Sequence, residues 1–372
     1  MKVLHVIPSV SERSGGPATA IVPMCRALRK EGMNVLLAST SHGFTQTYTD
    51  QTVDYKGVAA RFFPVQIGAS FKYSRPFAVW LNRNIKDFDL VHIHAVFNHA
   101  SVAAANACRK AGVPYVVRPL GTLDPWSMKQ KASRKRIFWS LVGKKMLQGS
   151  AAVHYTAVAE KTATEECLGI NHGQVIPLGV ELNGSFQATK AAEHFPALVG
   201  HRYVLLLSRL DPKKGVEVLI DAVNSLNDVG WRLVIAGDGP KDYVSSLKQK
   251  AGRTERIVFT GWVEGEQKEA LLRDASLFVL PSRHENFGLS VMEAMARSVP
   301  VLVSPHVNLA PEIAAANAGW IVDPTKLTAG LAAVLENETE RARCGKAAHQ
   351  FSRQYSWQRT ANELAKLYRQ IA

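Results

Sequence analysis

Short apolar runs alternate with longer stretches in which apolar residues recur every three or four positions, and the alternation starts at the first residue. MKVLHVIP reads as a buried strand, ATAIVPMCRALRKEG (18–32) as an amphipathic helix and NVLLAST (34–40) as a second strand. DLVHIHA (89–95), SVAAANACRKAG (101–112) and PYVVRP (114–119) repeat the order, each helix closed by a glycine. A long helical stretch over 128–148 follows, then a strand AAVHYTA (151–157) and a helix AEKTATEECLG (159–169).

The run 171–200 has little periodicity beyond a short strand, VIPLGV (175–180), and is read as the connection between domains. The alternation then restarts. RYVLLLSR (202–209), WRLVIAGDGP (231–240), RIVFTGWV (256–263), ASLFVLPS (275–282) and VPVLVS (299–304) read as strands, separated by helices that include GVEVLIDAVNSLNDVG (215–230) and DYVSSLKQKAG (242–252). The expected fold class is therefore α/β, with two Rossmann-like doubly wound parallel-sheet domains, 1–185 and 186–372. They are expected to face each other across a cleft, with ligands at the carboxyl ends of the strands. YSWQRTANELAKLYRQIA (355–372) predicts a terminal helix, for which packing back on the first domain is one option.

The length of 372 residues fits two domains, and no window is apolar enough to span a membrane. Cys25, Cys108, Cys167 and Cys344 lie far apart, which excludes a thiolate zinc motif and matches a reducing compartment. No cleavage pattern follows the first strand, so a cytoplasmic setting is expected. Charge changes the picture more. Residues 1–190 carry 23 Lys/Arg against 11 Asp/Glu, whereas 191–372 carry 22 against 20, so the first half is expected to meet something anionic. No RNP, KH or zinc-finger sequence accompanies that charge, and nucleic acid is not an expected partner.

Three stretches carry candidate chemistry. SERSGGPATA (11–20) sets Gly15 and Gly16 before a helix, where free N–H groups suit an anion. In SRLDPKKGVEVLI (208–220), Arg209 ends a strand and Lys214 opens a helix, a placement suited to a diphosphate whose charge grows as it leaves. In RHENFGLSVMEAMA (283–296), Glu285 precedes a turn whose Phe287, Gly288 and Leu289 amides are free, and Glu293 follows inside the helix. A carboxylate accepts hydrogen bonds in fixed directions, as recognition of sugar hydroxyls requires.

GDGP (237–240), FTGWV (259–263), the RHENFGLSVMEAMARSVPVLVS run and NAGWIVDP (317–324), in that order, resemble the retaining glycosyltransferases of family 4, which have the GT-B fold. The resemblance implies Arg209, Lys214 and Glu285 as catalytic residues, the two cations on the donor diphosphate and Glu285 on the donor sugar. It assigns the donor to Gly15, Gly16, Val263, Phe287, Gly288, Leu289 and Glu293, with Val263 at the base edge and Glu293 on the ribose. A nucleoside diphosphate sugar is the implied donor substrate, a hydroxyl the acceptor, and no cofactor or metal is required. Glu285 and Glu293 are not spaced as the carboxyl pair of a retaining hydrolase.

One departure stands out: Arg118-Pro119-Leu120-Gly121 occupies a place where many family members have a His near the reacting sugar, which leaves His94, His99 and Arg118 as acceptor-side candidates. Seven Lys/Arg surround Ile137, Phe138, Trp139, Leu141 and Val142 in residues 129–145, so a membrane-surface contact and a lipid-linked or exopolysaccharide acceptor are expected. A phosphorylase, a nucleotide-sugar epimerase or a non-catalytic partner on the same scaffold remain as alternatives.

Overall fold

A computed structural model describes residues 1–372 apart from 45–50, 69, 131, 183–188 and 227–229. Lys131 of the basic segment and residues 183–188 of the expected connection thus lie outside the described residues. The chain forms two compact units, Met1–Gly179 with Trp357–Ala372, and Val180–Ser356. The division comes six residues before the expected boundary of 185, and the terminal helix belongs to the first unit.

Unit 1 contains strands β1 (Lys2–Ile7), β2 (Asn34–Thr40), β3 (Thr52–Tyr55), β4 (Val58–Phe63), β5 (Leu90–His94), β6 (Tyr115–Arg118), β7 (Ala152–Tyr155) and β8 (Gly173–Val175). They form one sheet in the order β3-β4-β2-β1-β5-β6-β7-β8, parallel except for β3 against β4. The β3–β4 hairpin has no counterpart in the predicted elements. Its residues carry no sustained alternation, and it turns at Lys56 and Gly57, both with positive φ. The predicted strand 175–180 is instead Gly173–Val175, since Pro177 has no N–H to offer a ladder. The stretch 128–148 is broken into Pro125–Lys129, Ala132–Phe138, a π-helical turn at Trp139–Gly143 and Lys144–Gln148.

Unit 2 contains β9 (Arg202–Leu207), β10 (Trp231–Ala236), β11 (Ile257–Gly261), β12 (Leu277–Leu280), β13 (Val301–Val303) and β14 (Gly319–Ile321). Their order, β11-β10-β9-β12-β13-β14, is wholly parallel and reverses direction between β9 and β12. That reversal is the switch point at which the loops of an open α/β sheet splay apart and leave room for a ligand. β12 is buried at every position, as its uninterrupted apolar run requires.

One face of the unit 1 sheet is polar inside. His5 pairs with His92 and His94 with Arg118 across the strands, and His154 lies on β7. All five side chains are fully buried. The C-terminal helix, Trp357–Ile371, packs with the helix Gly16–Lys30, and its Tyr368 reaches this face. The tautomers follow from one end of the chain of bonds. His154 Nε2 lies 2.7 Å from the Ile176 carbonyl and so must donate, leaving Nδ1 to accept from His92 Nε2 at 3.3 Å. His92 Nδ1 then accepts from the Tyr368 hydroxyl at 2.6 Å. This directed relay satisfies both imidazoles in their neutral form.

Burial first, and the Arg118 charge next, push His5 and His154 down to about 3, while burial holds His92 and His94 well below the ordinary imidazole value. The sign follows directly. Between 6.5 and about 3 the unfolded chain takes up protons that the folded imidazoles refuse, so stability is complete above 6.5 and falls as the pH drops through this window. The loss should be roughly 1.4 kcal/mol per pH unit for each such ring. Denaturant unfolding of unit 1 followed from pH 7.5 to pH 5 should show this slope; equal stability at both ends would show that the rings titrate normally in the fold.

Candidate active site

The loops that follow β9 and β12 meet at the switch point of unit 2. Gly215 has φ +67° and a Cβ there would lie 2.3 Å from the Pro281 carbonyl oxygen, so only glycine allows the two loops to approach this closely. The Arg283 N–H donates to the Lys213 carbonyl at 2.7 Å and locks them together. GDGP backs the first loop: a Cβ at Gly237 would stand 1.8 Å from the Ser208 carbonyl oxygen, and the Leu210 N–H donates to Asp238 O at 2.8 Å. Glu285 is held from its own backbone, donating to His306 O at 2.9 Å and accepting from Asn308 N at 3.0 Å.

On this frame Lys214 Nζ bonds the Glu285 carboxylate, with the side chains only 12% and 15% exposed. Burial alone would raise Glu285, but the charges of Lys214 and then Lys213, together with the bond from Lys214, hold it below the ordinary value. Lys213 is the cation that sequence reasoning passed over. Burial and the neighbouring Lys214 lower its pKa, and the fields of both Glu285 and Arg209 act on it. Its signal was the first lysine of PKK, which spacing alone does not separate from a surface charge. Arg209 is exposed and, among the described residues, has no ion-pair partner.

Gly288, in the left-handed region at φ +76°, starts the helix Leu289–Ala296, with no side chain capping it. The first-turn N–H groups therefore lack an intrahelical partner. The Phe287 side chain is buried, leaving its backbone as the available donor. Two further ion pairs tie this helix to Gly265–Asp274. Lys268 Nζ lies 2.7 Å from Glu293 Oε1, and Arg297 clasps Glu269 through Nε at 3.0 Å and Nη2 at 2.7 Å. Lys268 and Glu269 were not among the expected site residues; a helix face carries charges for many reasons. Val263, expected at a base edge, is 7% exposed.

In unit 1, Gly15 has φ +94° and precedes the helix Gly16–Lys30, which has no side-chain cap and no acid in its first turn. A Cβ at Gly15 or Gly16 would meet no atom within 4 Å, so these glycines face open space. His99 opens the helix His99–Ala111, accepts from Ser74 N at 3.2 Å and packs against Tyr73 with ring centroids 4.5 Å apart and planes tilted by 57°. His94 and Arg118 point into the polar interior of the unit 1 sheet. Both are fully buried, His94 bonded to His5 at 3.0 Å and Arg118 lowered to about 10 by burial. The physical reason is that the helix Gly16–Lys30, whose Met24 Sδ lies 3.9 Å from Arg118 Nη1, and the C-terminal helix with Tyr368 pack on that face of the sheet. The ring nitrogens of His5, His92 and His94 lie within 4.8 Å of one another, a spacing a metal could bridge. The Arg118 charge acts on all three and no carboxylate belongs to the set, so the chemistry of these residues opposes a dication.

Residues 14–183 match the family model described as Glycosyltransferase Family 4, and residues 190–351 the model described as Glycosyl transferases group 1. A D-inositol 3-phosphate glycosyltransferase of Corynebacterium glutamicum is 32% identical over 50% of this chain and 47% of its own length. The chain spans about half the length of the curated relatives it matches at 32–33% identity. A phosphatidyl-myo-inositol mannosyltransferase of Mycobacterium tuberculosis is 27% identical over 100% of this chain and 97% of that protein. Among solved structures, Anabaena HepE in complex with UDP and glucose superposes with a TM-score of 0.79 at 20% identity, covering 99% of each chain, which shows a shared fold.

The Lys214–Glu285 pair should behave as one coupled unit. A double-mutant cycle of Lys214→Met and Glu285→Gln, read by denaturant unfolding, is expected to give a coupling of about 1–3 kcal/mol, and additivity would show that the contact carries no energy.

Proposed function

We propose, for a GT-B-fold chain whose first half is like glycosyltransferase family 4 and whose second half is like glycosyltransferase group 1, that it transfers a sugar from a nucleoside diphosphate sugar to a hydroxyl with the anomeric configuration retained. The observation that carries the reading is the Lys214–Glu285 pair at the switch point of the unit 2 sheet, beside an uncapped helix N-terminus. Cations and free amides there suit a diphosphate, and a carboxylate suits sugar hydroxyls. Similarly folded Anabaena HepE, solved in complex with UDP and glucose and with UDP-glucose, supports a nucleotide-sugar donor.

In this reading Arg209 and Lys214 hold the diphosphate, and Lys213 adds positive potential. Glu285 and the Phe287, Gly288 and Leu289 amides orient the sugar, Glu293 accepts from the ribose and Val263 lies towards the base. Gly15 and Gly16 contribute amides to an anion, and His99 serves the acceptor side. The acceptor oxygen bonds to the anomeric carbon on the face from which the phosphate oxygen departs. That oxygen takes the acceptor proton as its bond to carbon breaks. Positioning and stabilisation of the leaving charge then account for the rate.

For the acceptor we favour a lipid-linked or envelope saccharide reached from the cytoplasmic side of a membrane. Ile137 and Leu141, one helical turn apart, are 61% and 67% exposed within the basic segment 129–145, an arrangement suited to an anionic lipid surface. Among the described residues no helix is long and apolar enough to cross a membrane.

A panel of UDP-, GDP- and ADP-sugars, read by thermal stabilisation and slow donor hydrolysis, should single out one donor. With it, Glu285→Ala should retain nucleotide binding and lose at least about a hundredfold in turnover, and Arg209→Ala should weaken diphosphate binding. Full transfer activity in both variants would show the roles to be misassigned.

A further inference from the structure

Arg118 ends β6 with its side chain fully buried, yet only Nη1 of its guanidinium meets an accepting atom, Met24 Sδ at 3.9 Å. Nε and Nη2 find no acceptor in the chain. Covalent geometry puts those two nitrogens on one edge of the planar group, the edge that grips an anion through two parallel bonds. Arg297 shows that edge in use in unit 2, where Nε and Nη2 reach the Glu269 carboxylate at 3.0 and 2.7 Å. Arg118 has no such carboxylate. Glu160, whose charge acts on it, gives Oε1 to the Gly121 N–H at 2.7 Å and Oε2 to the Thr156 N–H and hydroxyl at 2.8 and 3.0 Å. Among the described residues no ion pair includes Arg118.

The surroundings add a donor to this edge. His5 Nδ1 and His94 Nε2 lie 3.0 Å apart and share one hydrogen. With both rings neutral, the second hydrogen sits on His5 Nε2 or His94 Nδ1, and both of these atoms are buried without a partner. His94 is the register neighbour of Arg118 on the adjoining strand. A water molecule would bring two more hydrogens to this donor-rich place, whereas an anion brings none. Charge points the same way, because an unpaired buried guanidinium is costly and one negative charge offsets it. Arg118 is at 0% exposure beneath the helices that carry Met24 and Tyr368, so the ion has to be small and to shed its water readily. That selects a halide over phosphate or sulfate, whose double charge is far harder to desolvate.

We propose that unit 1 binds a chloride ion internally, on the Nε and Nη2 edge of Arg118, as the counter-ion of its polar interior. The site stands apart from the transferase reading and uses none of its residues.

Thermal unfolding of the full chain in sodium chloride, sodium bromide and sodium gluconate at equal ionic strength tests it. Both halides should raise Tm above the gluconate value, by about 5 °C or more once they exceed their dissociation constant a hundredfold. Crystals grown in bromide should show an anomalous-scattering peak beside Nε and Nη2 of Arg118. Arg118→Met should lose the halide dependence, while Arg75→Gln, at an exposed position, should keep it. If Arg118→Met does not fold, the bromide position in the wild type decides alone. Equal Tm in chloride and gluconate, a halide dependence that survives in Arg118→Met, or bromide peaks confined to other places would each overturn the proposal.

Discussion

A cation and a carboxylate held in contact at the end of a buried strand fix the geometry of the second unit. At 15% exposure burial alone would raise Glu285, and the bond and charge of Lys214, with the charge of Lys213, hold it below its ordinary value, while Glu285 is the carboxylate that faces Lys214 at 12% exposure. Their contact requires the loops after β9 and β12 to touch, which in turn requires Gly215 against the Pro281 carbonyl. Further along the same helix the pattern recurs, with Glu293 against Lys268 and Arg297 against Glu269. Of the charged groups proposed for the donor, Lys214, Glu285 and Glu293 are thus already paired with neighbours, whereas Arg209, among the described residues, is not. In the proposed reading, a nucleotide sugar entering here would exchange partners with these three rather than meet bare charges, which limits the desolvation that binding requires.

The first unit solves the opposite problem. Its polar interior holds four imidazoles and a guanidinium with few formal partners, and it stays neutral where it can. The relay from Tyr368 through His92 and His154 to Ile176 O consumes every donor and acceptor along it. Arg118 keeps its charge in the field of Glu160, itself buried and bonded to the Gly121 and Thr156 amides at 2.7 and 2.8 Å. Repulsion from that one guanidinium helps keep the imidazoles unprotonated.

Much of this architecture was legible in the sequence because parallel strands buried on both faces write themselves as short apolar runs. β1, β5, β9 and β12 are of that kind, and so were placed. Glu285, Lys214 and Gly288 could be singled out as candidates because their types and spacing around a strand end admit few uses. His94 and Arg118 show where such reading stops. His92, His94 and Arg118 alternate correctly for one face of a sheet, but their environment is set by Tyr368, 276 residues from His92. No local pattern carries that distance. Lys213 and Lys268 were missed for a related reason: a lysine becomes part of a site only through the group it faces.

The return of residues 357–372 to the first unit makes the second unit an insertion within it. A growing chain therefore completes its parts out of order. Residues 1–179 emerge first but wait, with a sheet face of histidines and an arginine only partly covered, while the whole of Val180–Ser356 is made and can fold. The last helix completes a cover that the helix Gly16–Lys30 begins, so the half of the protein that begins synthesis is the half that matures last.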